Sequence, residues 1–201
     1  MQLFYKINEV GTMILDKYLK QTKFDSYQEF RDKFEILIPD NFNFAWDVVD
    51  EIALSTPGKT AMVWCDDKGN EATFTFAQMK YYSDKAASFF RSAGIRKGDP
   101  VMLILKRHYT FWFCTLALNK IGAITIPATH LLSAKDIIYR NNAADIKMIV
   151  CLPDPDVIQH VEDSQIKSPS LKYKMLIGED REGWVNFSKG MEDSPGELTR
   201  P

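Results

Sequence analysis

The chain has 201 residues, of which 45% are apolar and 26% charged, so it can bury a substantial core as one or two compact units. Its formal charge of -2, with acidic and basic residues interspersed, disfavours binding to nucleic acid or to an anionic membrane surface. It shows neither a secretory signal pattern nor an apolar run that could span a bilayer, so we expect a cytoplasmic protein without a membrane span.

The first predicted unit, residues 1–41, is an amino-terminal helical arm. Aromatic residues recur at helical spacing from Phe24 to Phe34. Asp25 and Ser26 precede most of this series, and either side chain can cap a helix. The pattern therefore predicts a helix that begins just after these two residues.

The second predicted unit, residues 42–178, is an α/β subdomain that opens with a helix and a hairpin. An amphipathic helix begins near Phe44 and is ended by the Pro-Gly pair at 57–58. Two segments rich in β-forming residues follow, Thr60–Cys65 and Glu71–Phe76. The polar link between them suits a tight turn, so we expect an antiparallel hairpin.

Beyond the hairpin, predicted helices and strands alternate. A capping box of Thr75 and Gln78 opens a helix that Gly94 stops. Short apolar runs then predict strands at Val101–Leu105, Ala123–Ile126, Met148–Cys151 and Tyr173–Ile177, and helices at Tyr109–Ile121, from Ser133 through Arg140, and after Pro155. This alternation predicts a mostly parallel sheet flanked by helices, joined by right-handed crossovers.

The third predicted unit, residues 179–201, is a loop or a linker toward a missing remainder. It consists largely of Glu, Asp, Gly, Ser and Pro, with Trp184, Val185 and Phe187 as its apolar anchors.

The three cysteines, Cys65, Cys114 and Cys151, are widely spaced. They indicate small buried residues in a reducing compartment, not a disulfide framework or a zinc site.

General catalytic motifs are missing from the sequence. It contains no dinucleotide-binding or P-loop glycine motif, no zinc-hydrolase histidine pair and no esterase serine elbow. Two carboxylate pairs, Asp66 with Asp67 and Asp154 with Asp156, have the chemistry for acid-base work or for a metal, but both follow predicted strands beside turn-forming residues. We interpret them as solvated turns, and we assign no catalytic residue and no metal site.

Four segments, in order and with consistent spacing, resemble one known family. They are Thr73–Met79, Gly94–Val101, the pair Arg107–Ala123 and Ile126–His130, and Ser133–Arg140. They are similar to the opening core motifs of the adenylate-forming (AMP-binding) superfamily, in particular acyl-CoA synthetases of the acetyl-CoA and medium-chain type. The chain resembles the amino-terminal part of such an enzyme.

The resemblance implies a ligase reaction in two halves. A carboxylic acid attacks ATP to give acyl-adenylate and pyrophosphate, and CoA then displaces AMP to form a thioester, with ATP, Mg²⁺ and CoA required. The family's Ser/Thr/Gly-rich phosphate loop with its lysine, its nucleoside-binding aromatic residue and aspartate, and its carboxy-terminal catalytic lysine are not matched here. We therefore expect this chain to be inactive without the rest of the synthetase, and to hold no cofactor tightly.

The family resemblance also implies candidate ligand contacts. The turn after the second core motif lies near the CoA and acyl path in the family, which points to Thr129, His130 and Leu131. A packed or solvent-facing loop is the alternative. The basic side chains of Lys106, Arg107 and Arg140 have the chemistry to bind CoA phosphates. We favour the alternative that they are solvated residues of basic turns.

Two other functions stay open at this stage. One is a non-catalytic module that kept the scaffold and binds a ligand or partner subunit. The other is a different adenylate-forming enzyme, such as a luciferase-like or amino-acid-activating relative with another acceptor. A Ser/Thr/Gly-rich loop with a lysine downstream of Pro201 would favour the enzyme, and a stop codon there would favour the module.

Overall fold

The computed structural model describes residues 9–200, with side chains from residue 14 onward. The helices are α1 (Glu9–Tyr18), α2 (Tyr27–Lys33), α3 (Glu51–Ser55), α4 (Phe76–Ser92), α5 (Thr110–Lys120), α6 (Ala134–Ala144), α7 (Pro155–Gln165) and α8 (Phe187–Glu192). The strands are β1 (Thr60–Cys65), β2 (Glu71–Thr75), β3 (Pro100–Ile104), β4 (Ile124–Pro127), β5 (Met148–Cys151), β6 (Tyr173–Leu176) and β7 (Val185–Asn186). A π-helical turn, Ala45–Asp50, leads into α3.

A five-stranded sheet with the order β4-β3-β5-β6-β7 forms the centre of the molecule, and every neighbouring pair is parallel. In its register Val101 of β3 lies between Thr125 of β4 and Met148 of β5. All four residues of β5 are buried, as expected for a strand covered on both faces. The predicted α/β class with a mostly parallel sheet is therefore confirmed. The predicted antiparallel hairpin is also present, as β1 and β2.

Helices cover both faces of the sheet. One core joins Phe90 of α4, Cys114 of α5 and Phe187 of α8 to strand residues such as Leu103. The other core joins α6 and α7 to the alternate strand residues, among them Met102. Because successive side chains of a strand point to opposite faces of the sheet, a single apolar strand such as β3 contributes side chains to both cores.

Local capping sets where four of the helices begin. Thr75 and Gln78 form the predicted capping box of α4, and Ser133 with Asp136 forms a second one at α6. Asp154 accepts from two main-chain amides and caps α7, whose first residue is Pro155. Asp154 is thus a helix cap. The sequence pattern indicated only a solvated turn at this position. In the arm, Ser26 caps α2 as predicted.

The carboxy-terminal segment is more ordered than a loop or linker. Within residues 179–201 the structure has strand β7 and helix α8, and Trp184 and Phe187 are both buried. Phe187 packs against Phe90, with ring centroids 5.3 Å apart. Two tertiary anchors thus order a segment whose composition is polar. The proposed unit boundaries at 41 and 178 remain predictions, and residues 1–8 of the arm lie outside the described residues.

Two smaller expectations differ from the structure. Helix α6 continues past Arg140 to Ala144, where Asp145 adopts a left-handed φ of 50° and ends it. Cys65 is exposed at the end of β1, whereas the other two cysteines are buried. Across residues 9–200, no helix combines the length and apolarity that crossing a membrane requires.

Candidate functional site

The carboxyl end of the sheet has a crevice where the strand order reverses. The chain leaves β3 toward α5 on one face and leaves β5 toward α7 on the other face. Because these two neighbouring strands send their loops in opposite directions, the loops diverge and leave space between them. Open α/β sheets bind their ligands at such a point.

A cavity of about 580 Å³ lies at this end of the sheet. The loops after β3, β5 and β6 form its wall together with β2, α4, α5 and α8. Its lining is mainly aromatic and aliphatic: Phe74, Tyr82, His108, Tyr109, Thr110, Phe113, Leu152, Pro153, Ile177, Gly178, Ser188 and Met191. We call this space the carboxyl-end cavity.

Phe113 organises the aromatic wall of the carboxyl-end cavity. Its ring is only 2% exposed and stacks on Tyr82, with centroids 4.8 Å apart. Phe74 of the hairpin meets the same ring edge-on at 5.2 Å, and Tyr109 lies 5.7 Å away. Such aromatic pairs add packing energy beyond their buried area. The hairpin and two helices are therefore held together at the cavity by one cluster of rings.

His108 is the one histidine that lines the carboxyl-end cavity. Its Nδ1 accepts from the Thr110 amide at 3.3 Å, which places the ring proton on Nε2. The ring lies 4.1 Å from that of Tyr109, centroid to centroid. Burial lowers the pKa of His108 below its ordinary value. The imidazole is thus held neutral, with its Nε2 as a hydrogen-bond donor.

An ion pair bridges the ends of β3 and β5 beside the cavity. Lys106 adopts a left-handed φ of 48° and its Nζ lies 2.6 Å from Oδ2 of Asp154. The hydrogen bond from Lys106 holds the pKa of Asp154 below its ordinary value. Lys106 is therefore neutralised by a local partner. Arg107 is exposed, and its carbonyl accepts from the Trp64 indole at 2.6 Å.

The residues that the family resemblance singled out lie elsewhere. Thr129, His130 and Leu131 form an exposed turn between β4 and α6, and the Thr129 hydroxyl accepts from the Leu131 amide at 3.3 Å. None of the three lines the carboxyl-end cavity. Their role as ligand contacts stays a prediction, as does the role of Arg140, which is exposed on α6.

Sequence reasoning missed the carboxyl-end cavity and the place of His108 in it. The available signal was the position of His108 just after a buried strand, but several loops share that property. The deciding fact is that β3 and β5 are neighbours, and a sequence does not state strand order.

The lining of the carboxyl-end cavity decides which ligand groups it fits. No lysine, arginine, aspartate or glutamate contributes to it. A polyphosphate needs cations or a cluster of main-chain amides, so this lining does not fit that part of ATP. It fits an apolar group with one or two hydrogen-bonding atoms. Among the described residues, no group of three His, Cys, Asp or Glu side chains is placed to hold a metal ion.

The fold and the cavity define a class: an open parallel α/β domain with its ligand crevice at a switch point of the strand order. The family model described as AMP-binding enzyme matches residues 49–198, and the chain belongs to this family. This confirms the resemblance drawn from the four sequence segments.

Relatives with known names are acyl-CoA synthetases. The chain is 34% identical over 167 residues to acyl-coenzyme A synthetase ACSM4, mitochondrial, of Mus musculus, covering 80% of this chain and 28% of the relative. It is 32% identical over 176 residues to acyl-coenzyme A synthetase ACSM3, mitochondrial, of the same species, covering 84% and 30%. The chain thus spans less than a third of the length of these relatives and matches their amino-terminal part.

Two solved structures share the fold. The crystal structure of Brucella canis acyl-CoA synthetase superimposes with a TM-score of 0.75 at 19% identity, covering 89% of this chain and 34% of that one. The anthranilate CoA ligase AuaEII, solved in complex with anthranoyl-AMP, gives a TM-score of 0.71 at 20% identity, covering 82% and 30%. At these identities the likeness concerns the fold alone.

The expected cytoplasmic location is wrong. The mouse, rat and human relatives at 32–34% identity are all named as mitochondrial proteins, which points to mitochondria. The expectation rested on the lack of a secretory pattern and of a membrane span, and neither feature distinguishes the cytoplasm from the mitochondrial matrix.

Proposed function

We propose that the complete protein is an AMP-forming acyl-CoA synthetase that activates a short- or medium-chain carboxylic acid. Its substrates would be the acid, ATP and CoA, with Mg²⁺ accompanying ATP. The observation that carries this proposal is the family match over residues 49–198, together with 32–34% identity to synthetases named ACSM3 and ACSM4. We also propose a mitochondrial location, which the names of these relatives support.

In this proposal the chain contributes the carboxyl end of the sheet to the active site. The carboxyl-end cavity receives an apolar part of a substrate, because its lining is aromatic and aliphatic and carries no full charge. Nε2 of His108 donates a hydrogen bond to a polar atom of that substrate. The neutral state of the imidazole suits this role, since a buried cation would be costly beside an apolar group.

The chemistry on ATP belongs to residues outside this chain. A Ser/Thr/Gly-rich phosphate loop with a lysine does not occur among the 201 residues, and the carboxyl-end cavity does not fit a polyphosphate. We therefore expect the chain by itself to be inactive. Its part is to shape one wall, exclude water and position the acid, which raises the rate by orientation.

Formation of the CoA thioester tests the proposal. The complete protein, incubated with ATP, Mg²⁺, CoA and acids from acetate to decanoate, is expected to yield acyl-CoA, detected by mass spectrometry. An acyl-adenylate without any thioester would instead indicate an adenylate-forming enzyme with another acceptor. Absence of both products with every acid would contradict the proposal and favour a binding module.

A further inference from the structure

A second concavity, of about 200 Å³, lies at the amino end of the sheet, away from the carboxyl-end cavity. The end of α4, the turn before β3, the end of α5 and Leu198–Thr199 form it. Arg91, Arg96 and Lys97 are exposed cations at this site. Apolar side chains contribute as well, among them the fully buried Ile95. We call this site the basic pocket.

The three cations of the basic pocket have no carboxylate partner among the side chains that the structure describes, residues 14–200. None of Arg91, Arg96 and Lys97 takes part in an ion pair there. No acidic residue lines the pocket. The acid at the end of the same turn, Asp99, is occupied by Lys147 at 2.5 Å and by the Arg96 amide at 2.9 Å. The positive charge at this site is therefore not compensated locally.

Backbone contacts hold two of these cations in place. Nη1 of Arg96 donates to the carbonyls of Arg91 at 2.6 Å and of Ile95 at 2.9 Å. The Arg91 carbonyl lies at the carboxyl end of α4, whose partial negative charge would otherwise oppose an anion, and Ile95 lies in the turn that follows. The stem of Lys97 lies against Gly122, where an added Cβ would be 3.0 Å from Lys97 Cγ. The site is thus partly preorganised.

We propose that the basic pocket binds an organic phosphate. Two guanidinium groups and one ammonium group supply more charge than a single carboxylate can use, whereas a phosphate dianion accepts several charge-assisted hydrogen bonds. The half-buried apolar residues Ile121 and Leu198 receive the carbon skeleton attached to the phosphate. Lys120 lines the pocket too, but its ammonium binds Asp84 at 2.6 Å and is therefore not available to bind the ligand.

Calorimetric titration of the 201-residue chain with phenyl phosphate tests this site. We expect saturable binding that weakens as salt is added, because the contacts are ionic. R91Q and K97Q are each expected to weaken it about tenfold, the effect of losing one charge-assisted hydrogen bond. K135Q and R140Q make the same change on exposed positions of α6 and are expected to leave binding unchanged.

Two reference ligands test separately whether the pocket contacts the carbon skeleton and whether it prefers a phosphate to a carboxylate. Inorganic phosphate is expected to bind several-fold more weakly than phenyl phosphate, because it leaves the apolar residues uncovered, and benzoate more weakly because it carries one charge. Thermal melts followed by circular dichroism check that R91Q and K97Q are folded. Absence of saturable binding, equal affinity in folded R91Q and K97Q, equal weakening by K135Q, or equal affinity for benzoate or inorganic phosphate would each overturn the proposal.

Discussion

The two ends of the parallel sheet are stabilised by different chemistry. At the carboxyl end, rings around Phe113 join the hairpin to α4 and α5 and border a cavity without charged lining. Near the amino end, Lys120 in the last turn of α5 is completely buried and lies 2.6 Å from Asp84 of α4 and 2.8 Å from Asp50. The apolar end borders an open cavity, whereas the ionic end fixes the helices relative to one another.

The buried residues Asp50, Asp84 and Lys120 form a cluster with the half-buried Lys80, and we call these four residues the charge cluster. Asp84 accepts hydrogen bonds from Lys80 at 2.5 Å and from Lys120 at 2.6 Å. Asp50 is close enough to Lys120 for an ion pair, but its oxygens make no hydrogen bond with favourable angles. Burial raises the pKa of Asp50, and Lys120 opposes this rise. Such clusters fix geometry more than they add net stability.

The largest effect is expected from Lys120→Met, which breaks the charge cluster. Two buried carboxylates then lose their shared partner, and removal of one member of a buried ion pair costs about 3–5 kcal/mol. Urea denaturation of the variant measures the free energy of unfolding. Lys172→Met, at an exposed position, is the control and is expected to change it by less than about 0.5 kcal/mol. A Lys120→Met variant as stable as the parent would show that the cluster contributes nothing.

Isosteric changes sharpen the account of the cluster. Asp84→Asn removes the carboxylate that both lysines bind, whereas Asp50→Asn replaces one that burial already disfavours in its charged form. We expect a loss of about 2 kcal/mol for Asp84→Asn and a smaller loss for Asp50→Asn. Chemical denaturation at neutral pH compares the two, and the reverse order would refute the assignment of Asp84 as the centre of the cluster.

Phe113→Ala tests the aromatic end and is expected to cost about 3 kcal/mol, since it empties a buried ring site. Phe113→Leu keeps most of the volume and is expected to cost about 1 kcal/mol. Thermal and urea unfolding measure both variants. Equal stability of Phe113→Ala and the parent would mean that the rings around the carboxyl-end cavity do not hold the hairpin in place.

The smallest effect concerns His108 and pH. Its pKa is lowered in the folded chain, so below its ordinary value of 6.5 the unfolded chain binds more protons than the folded one. The stability associated with neutral His108 is therefore present above that pH and is lost as pH falls through it. Between about pH 7 and about pH 5, His108→Gln should lose less stability than the parent. Parallel losses in both proteins would indicate that His108 is not shielded from water.

Much of the fold was predictable because its signals are local. The capping box of Thr75 and Gln78 and that of Ser133 and Asp136 lie three residues apart in the sequence. The strand and helix within segment 179–201 were not predicted, because their order depends on distant partners. The Trp184 indole, for example, donates to Oε1 of Glu162 at 2.9 Å. Composition alone does not reveal such contacts.

The candidate site was less predictable than the fold. Its cavity exists because β3 and β5 are neighbours, and its lining gathers residues from Phe74 to Met191. In the charge cluster only Lys80 and Asp84 are one helical turn apart, so Asp50 and Lys120 could not be assigned to it. The family motifs indicated the reaction class and Thr129–Leu131 as ligand contacts, which stay a prediction, and they gave no signal for His108.

Pyrophosphate exchange measures the central claim most directly, because it reports formation of an acyl-adenylate by the complete protein. In the presence of Mg²⁺ and a medium-chain acid such as octanoate, the complete protein should incorporate labelled pyrophosphate into ATP, whereas the 201-residue chain should not. Exchange that depends on the added acid is the predicted result. No exchange by the complete protein with any carboxylic acid from acetate to decanoate would contradict the proposed function.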